Sequence, residues 1–193
     1  ITLGHYGDYV EQFLKITYPN IKFTYINVDP YVGPGSSLGY SILQAKKSLQ
    51  CPFIFNACDT ILKNNKQLIP FLNKTVNFCV GDMRDDTSQY STLLVDNGQV
   101  RQIKERGELN YDYAYIGLSG IKDYELFWNI LEKTYNQKRN DFHLFEGDII
   151  NEMLNFVKFD LCETNKWLDI GNVGELEKTR KLFKTSAEVL EKK

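Results

Sequence analysis

Two acids stand apart from the general surface charge of this chain: Asp59, which follows the apolar stretch P-F-I-F-N-A-C, and Asp169, inside W-L-D-I-G. An acid set behind apolar, strand-like sequence is costly to bury unless a metal or a hydrogen-bond partner compensates it. The carboxyl ends of strands are also where open α/β sheets present their ligands. Two carboxylates carried to one sheet edge can bind one Mg²⁺, with waters and phosphate oxygens completing the shell. Taken singly, either acid reads as a turn or cap residue. The second chemical signal is G-P-G-S-S, Gly33 to Ser37. Gly33, Pro34 and Gly35 break regular structure and let a backbone approach a ligand closely. A loop before a helix N-terminus suits an anion or a base edge, although no Walker motif is present. Glu146 and Asp148 lie near the start of another helical segment, where favourable N-terminal charge competes with a ligand role.

The elements that must position these residues follow from periodicity. Ser36 and Ser37 are N-cap candidates for a helix with Leu38, Ile42, Ala45 and Leu49 on one face. Pro52 to Phe55 reads as a strand covered on both faces, ending at Asp59. Before it, Ile1 to Gly4 reads as a strand end. Asp8 is read as the cap of a helix whose Tyr9, Val10, Phe13 and Leu14 share a face, and Phe23 to Val28 as a strand. After it come a short helix from Asn64 to Leu72, a strand from Val76 to Gly81, and a polar loop from Asp82 to Tyr90. Asn97-Gly98 predicts a two-residue turn between strands Ser91 to Val95 and Gln99 to Lys104. Tyr113 to Ile121 is a long strand with Gly117 inside it, which weakens a strand unless something must approach its backbone. Helices are expected over Lys122 to Tyr135, with Leu126, Phe127, Ile130 and Leu131 inward, and over Phe145 to Asn155. A strand from Val157 to Cys162 and a passage from Asn165 to Asn172 precede a last helix, Val173 to Glu191, anchored by Leu176, Leu182 and Val189. Alternating strands and helices followed by a hairpin predict an α/β fold with a mostly parallel, mixed sheet flanked by helices.

A chain of 193 residues, 42% hydrophobic and 25% charged, is sized for one globular domain, residues 1–193. A net charge of −2 leaves no electrostatic footprint for nucleic acid or an anionic membrane, and no apolar run is long enough to span a bilayer. The four cysteines (Cys51, Cys58, Cys79 and Cys162) lack metal-site spacing and read as reduced thiols of a cytoplasmic protein, three of them in strands. With only His5 and His143, a His-rich zinc site is not expected. Trp167 reads as core packing beside Asp169, and Lys46-Lys47 as the solvated face of a helix. Starting without Met, in what reads as a strand already in progress, and ending in a charged helix, the chain reads as a piece of a longer polypeptide.

The order of these motifs resembles the nucleotidylyltransferases that make NDP-sugars and CDP-alcohols. In that family a Gly-rich loop and helix lead to a strand ending in a G-D-like pair, and N-A-C-D puts Asp59 at the first metal aspartate. A later W-x-D-x-G motif carries the second, matched by W-L-D-I-G at Asp169. Between them the family has an E-K-P-like segment whose lysine meets the acceptor phosphate. Here I-K-E-R-G places Arg106 at that position with Lys104 nearby, a departure that guanidinium's bidentate phosphate binding can accommodate. Y-A-Y-I-G-L resembles the family strand whose glycine lies under the acceptor, giving Gly117. G-P-G-S-S-L-G-Y and A-C-D-T-I look like the variant found in capsule-locus proteins, where a kinase-like second domain can follow. The family's opening strand and G-x-G-x-R-type loop have no counterpart, so the resemblance implies a GT-A-like, Rossmann-like nucleotidyltransferase fold lacking its first β-α unit. By itself, this stretch is then expected to have little or no activity.

The resemblance implies in-line attack of an acceptor phosphate on the α-phosphorus of an NTP, with pyrophosphate leaving and Mg²⁺ on Asp59 and Asp169. Arg106 or Lys104 would bind the acceptor phosphate. The backbone of Gly35, Ser36 and Ser37 would lie against the base or ribose, and Glu146 and Asp148 would hold acceptor hydroxyls or an amine. Two other readings compete: a nucleotide-sugar glycosyltransferase, which usually shows a D-x-D motif absent from C-D-T-I, and a non-catalytic nucleotide-binding domain.

Overall fold

The structure is a computed structural model that describes residues 1–84, 86–108, 110–138, 143–165 and 167–190, with side chains described as far as residue 183 in the last segment. In chain order the elements begin β1 (Thr2–Leu3), α1 (Gly7–Thr17), β2 (Ile26–Asn27), α2 (Leu38–Gln44), β3 (Phe53–Asn56), β4 (Thr60–Leu62), α3 (Ile69–Lys74) and β5 (Phe78–Asp82). They continue with β6 (Thr92–Asp96), β7 (Gln99–Lys104), β8 (Tyr113–Ile121), α4 (Tyr124–Gln137), α5 (Glu146–Met153), β9 (Asp160–Thr164), β10 (Trp167–Asp169) and α6 (Val173–Leu190). The chain divides into two compact units, Ile1–Phe53 with Asp123–Val157, and Ile54–Lys122 with Lys158–Lys193.

In the first unit β1 and β2 pair in parallel, burying Leu3 and Val28. Helix α4 buries Phe127, Trp128 and Leu131, and α5 buries Ile149, Ile150 and Met153. These two helices pack on each other and on α2. Phe53 stacks on Trp128 with ring centroids 5.4 Å apart, and the Trp128 indole N–H donates to Leu49 O at 2.8 Å. Gly39 is required by space: a Cβ there would lie 2.6 Å from Leu144 Cγ, where the Gly39 amide donates to Leu144 O. Helix α1 departs from expectation. It begins at Gly7 behind Tyr6 in the left-handed region, so Asp8 lies in the first turn and is not the cap. Its apolar face exists but is not buried, with Tyr9 at 70% and Phe13 at 60% exposure. Period sets the helix, whereas burial needs a partner that period does not name.

The second unit is built on a six-stranded sheet in the order β3-β8-β5-β9-β7-β6, in which β6 also pairs with the start of β8. The mostly parallel sheet expected from the sequence is not what forms. Strand β5 is parallel to β9, but β5–β8, β6–β7, β6–β8 and β7–β9 are antiparallel. Alternation of strands and helices indicates a mixed sheet, yet it does not say beside which neighbour each strand is inserted. Strand β5 is buried throughout, whereas Ile54 in β3 is 45% exposed, so β3 is not covered on both faces. The core gathers Leu68, Phe78, Val80, Ile116, Leu118, Cys162 and Trp167. Cys79 and Cys162 are buried in β5 and β9, while Cys51 and Cys58 are exposed and outside strands, so two cysteines and not three sit in the sheet. Leu176 and Leu182 of α6 are exposed and, among its described side chains, Thr179 is buried; the Val189 side chain lies outside the described residues.

Candidate active site

The turn after β3 is tied to β8. The Ala57 amide donates to Gly117 O at 2.8 Å, the Thr60 amide to Ala57 O at 3.2 Å, and the Thr60 hydroxyl to Ile116 O at 2.6 Å. Gly117 makes this approach possible. Its φ of +69° favours glycine, and a Cβ there would stand 2.9 Å from Ala57 Cβ. The ladder of β5 against β8 shifts register at the same place, advancing from Cys79↔Ser119 to Gly81↔Tyr115, so the glycine lies in a bulge. The glycine inside a strand thus marks a close approach of backbone, that of the turn presenting Asp59.

From that turn β4 runs antiparallel to β10, with Thr60 opposite Asp169 and Leu62 opposite Trp167. The Ile170 amide donates to Asp59 O at 3.0 Å. Two short strands thereby bring together carboxylates that are far apart in the chain. Their closeness is recorded at Gly171, where a Cβ would lie 3.0 Å from Asp59 Oδ2 and 3.1 Å from Asp169 Oδ1. Gly171 is not in the left-handed region, so its lack of a side chain matters for the space it leaves between the two oxygens. Asp59 is exposed and Asp169 half-buried, so the pair faces solvent.

Asp169 is held from behind. The Gly171 amide donates to its Oδ1 at 2.8 Å and the Tyr90 hydroxyl to its Oδ2 at 2.9 Å. Tyr90 in turn accepts from Arg84 Nη1 at 3.2 Å. Arg84 donates through Nε to buried Asp82 at 2.9 Å and through Nη2 to Trp167 O at 3.3 Å, with its guanidinium carbon 4.0 Å from the centre of the Trp167 ring. Partial burial, reinforced by the bond and charge of Asp169, pushes the Tyr90 hydroxyl up to about 12 despite the opposing Arg84 charge. Sequence reading missed Arg84 and Tyr90, because both lie in a segment without periodicity. The available signal was a lone arginine and a lone tyrosine inside an acidic loop, too common to select. Trp167, expected in the core beside Asp169, is buried there.

Lys104 ends β7 and donates to Asn110 O at 3.0 Å, and Arg106 is exposed in the turn that follows. The remaining sequence-derived candidates belong to the first unit. Gly33 and Gly35 have φ of +82° and +86° with open space around them, so conformation requires glycine there. Ser37 is the cap of α2, its hydroxyl accepting from the Tyr40 amide at 3.0 Å. Ser36 is not a cap, since its hydroxyl donates to Gly33 O at 2.7 Å. Gly35 and Pro34 line a cleft of about 380 Å³ beside the stacked rings of Tyr40 and Tyr135. Glu146 is buried at the start of α5, and Asp148 accepts from the Phe145 amide at 3.1 Å.

The donor set at Asp59 and Asp169 suits a hard cation. It offers oxygen alone, and among the described residues no cluster of three or more His, Cys, Asp or Glu side chains is gathered. Two carboxylates and an open face match the way Mg²⁺ is held, with water and phosphate oxygens filling the rest of its octahedron. Asp59 Oδ2 and Asp169 Oδ1 both flank Gly171, so the two carboxylates are near enough to serve one ion.

No protein-family model matches the chain, and no curated protein matches it by sequence. Solved structures do match in fold. A CTP:phosphocholine cytidylyltransferase from Streptococcus pneumoniae superposes with a TM-score of 0.75 at 17% identity, over 95% of this chain and 78% of that one. An apo UDP-glucose pyrophosphorylase gives 0.70 at 17% identity, over 96% and 81%. The inositol-1-phosphate CTP transferase from T. maritima gives 0.69 at 12% identity, over 90% and 70%. The chain therefore has the mixed α/β fold of these nucleotidyltransferases. Among the described residues no helix is long and apolar enough to cross a membrane.

Proposed function

We propose that this chain is a nucleotidyltransferase domain that transfers a nucleotidyl group from an NTP to a phosphorylated small acceptor, a sugar phosphate or phospho-alcohol. The observation that carries the reading is that Asp59 Oδ2 and Asp169 Oδ1 both flank Gly171, in a chain with this fold. In the reaction an acceptor phosphate oxygen forms a bond to the α-phosphorus while the bond from that phosphorus to the bridging oxygen breaks, and pyrophosphate leaves with the electron pair. Two anions must meet, so catalysis is chiefly alignment and charge neutralisation. Asp59 and Asp169 would hold Mg²⁺, which would supply positive charge at the reacting phosphates. Arg106 or Lys104 binds the acceptor phosphate, and the backbone at Gly117 lies under the acceptor. The backbone of Gly35, Ser36 and Ser37 meets the base or ribose, and Glu146 and Asp148 hold acceptor hydroxyls or an amine. The product class, an activated sugar or alcohol, fits precursor supply for a surface polysaccharide in the cytoplasm.

The test is pyrophosphate release by the full-length gene product with Mg²⁺, using CTP, UTP, GTP, ATP and dTTP against mixed phosphorylated acceptors. Release requiring one NTP and one acceptor is expected, and Asp59→Asn or Asp169→Asn should lower it by about a hundredfold or more, as loss of charge compensation at the reacting phosphate implies. Folded protein that releases no pyrophosphate with any pair would instead be a nucleotide-binding domain without this chemistry.

A further inference from the structure

We propose that Tyr90, oriented by Arg84, is a positioning residue for Asp169: it occupies Oδ2 and so leaves Oδ1 as the oxygen turned toward Asp59. This rests on the reading that the two aspartates hold a divalent cation. The direction of the hydrogen bonds is fixed by chemistry. A guanidinium has donors and no acceptor, so Arg84 can only donate to the Tyr90 oxygen, and the single Tyr90 proton is directed to Asp169 Oδ2. Arg84 is itself immobilised on three sides, by Asp82, by Trp167 O and by the Trp167 ring. The ring of Tyr90 meets Trp167 edge-on with centroids 4.8 Å apart, and Trp167 lies in the same short strand as Asp169.

Without the Tyr90 bond the Asp169 carboxylate keeps, among the described residues, the Gly171 amide, which fixes one oxygen and leaves the other to turn. Such groups behind a ligand set its orientation and basicity, and their loss typically lowers metal affinity by about 10- to 100-fold. The chain thus devotes a half-buried ion pair, a cation–aromatic stack and a tyrosine to the rear of one aspartate, while Asp59 is exposed.

The experiment is Mn²⁺ binding to the full-length protein, read by the loss of the free-ion paramagnetic resonance signal and paired with a thermal melt of each variant. Asp169→Asn is the control and is expected to abolish binding. Tyr90→Phe keeps the ring against Trp167 and should bind Mn²⁺ about tenfold or more weakly with little change in melting temperature, a split that a purely structural role would not produce. Arg84→Lys keeps a charge beside Asp82 but gives up the fork. It should weaken Mn²⁺ several-fold, and it serves as the reading variant should Tyr90→Phe not fold. Wild-type Mn²⁺ affinity in Tyr90→Phe and Arg84→Lys, with Asp169→Asn unable to bind, would overturn the positioning role alone. Wild-type affinity in Asp169→Asn would overturn the cation site itself and this inference with it.

Discussion

Gly171 has no side chain where one would stand within 3.1 Å of an oxygen from each of Asp59 and Asp169. Its backbone is in a region open to any residue, so Gly171→Ala carries no conformational penalty of the kind expected at Gly33, Gly35 or Gly117. The added methyl group meets two side-chain oxygens at an exposed position, and these can shift by a few tenths of an ångström. The predicted result is a split between stability and function. The unfolding free energy should change by less than about 1 kcal/mol, the usual range for surface substitutions away from strain or core. Mn²⁺ binding should weaken, because the methyl group stands 3.0 and 3.1 Å from an oxygen of each aspartate and displaces both from the positions they hold. Denaturant melts together with a Mn²⁺ titration check this, and normal ion binding in Gly171→Ala would place the cation elsewhere. Asp59 and Asp169 were legible because each is an acid behind apolar sequence. Arg84 and Tyr90 were not, because what selects them is contact with β10, which no local pattern announces.

At the scale of elements, the sequence was most informative where structure is local. Asn97-Gly98 joins β6 and β7 as a hairpin, and Asn97 and Gly98 both have positive φ, as a two-residue turn requires. The start of the helix behind the glycine loop was equally legible and depends on Ser37, but the helix ends at Gln44, short of the Ala45 and Leu49 expected on its face. The Ser37 hydroxyl satisfies the Tyr40 amide, and the extended backbone of Ser37 is the geometry of an N-cap. Helix α2 spans only seven residues, so it has little internal bonding to spare. Ser37→Ala should cost about 1 kcal/mol of stability in a denaturant melt. Ser36→Ala should cost less, since its hydroxyl closes only an exposed turn onto Gly33 O. Equal costs would remove the distinction between cap and loop. What stayed illegible was partner choice. The long strand Tyr113 to Ile121 was readable in full as β8, but that β5 would pair with it antiparallel and with β9 in parallel depends on the whole sheet.

Over the whole molecule, the sulfur chemistry divides as burial dictates. Cys51 and Cys58 are exposed, while Cys79 and Cys162 are fully buried in adjacent strands. A thiol must ionise to react, and burial opposes the thiolate. It pushes Cys162 up from 9.0 to about 11, with the nearby Glu163 charge adding to the effect. The folded state therefore favours the neutral thiol. This contribution to stability is complete below about pH 9, where the unfolded thiol is also protonated, and is lost as pH rises from there through 11. Two measurements follow from one cause. At neutral pH a disulfide reagent should titrate two thiols rapidly in native protein and the other two only on unfolding. Between pH 9 and 11 the denaturant midpoint should fall, and fall less in Cys162→Ala, where no thiol remains to ionise in β9. Tyrosines also titrate near this window, Tyr90 at about 12 among them, so the comparison with Cys162→Ala isolates the cysteine's share. Rapid reaction of three or four thiols in native protein would mean that β5 and β9 open readily, and the buried centre of the sheet would not be the rigid support that the Asp59 turn requires.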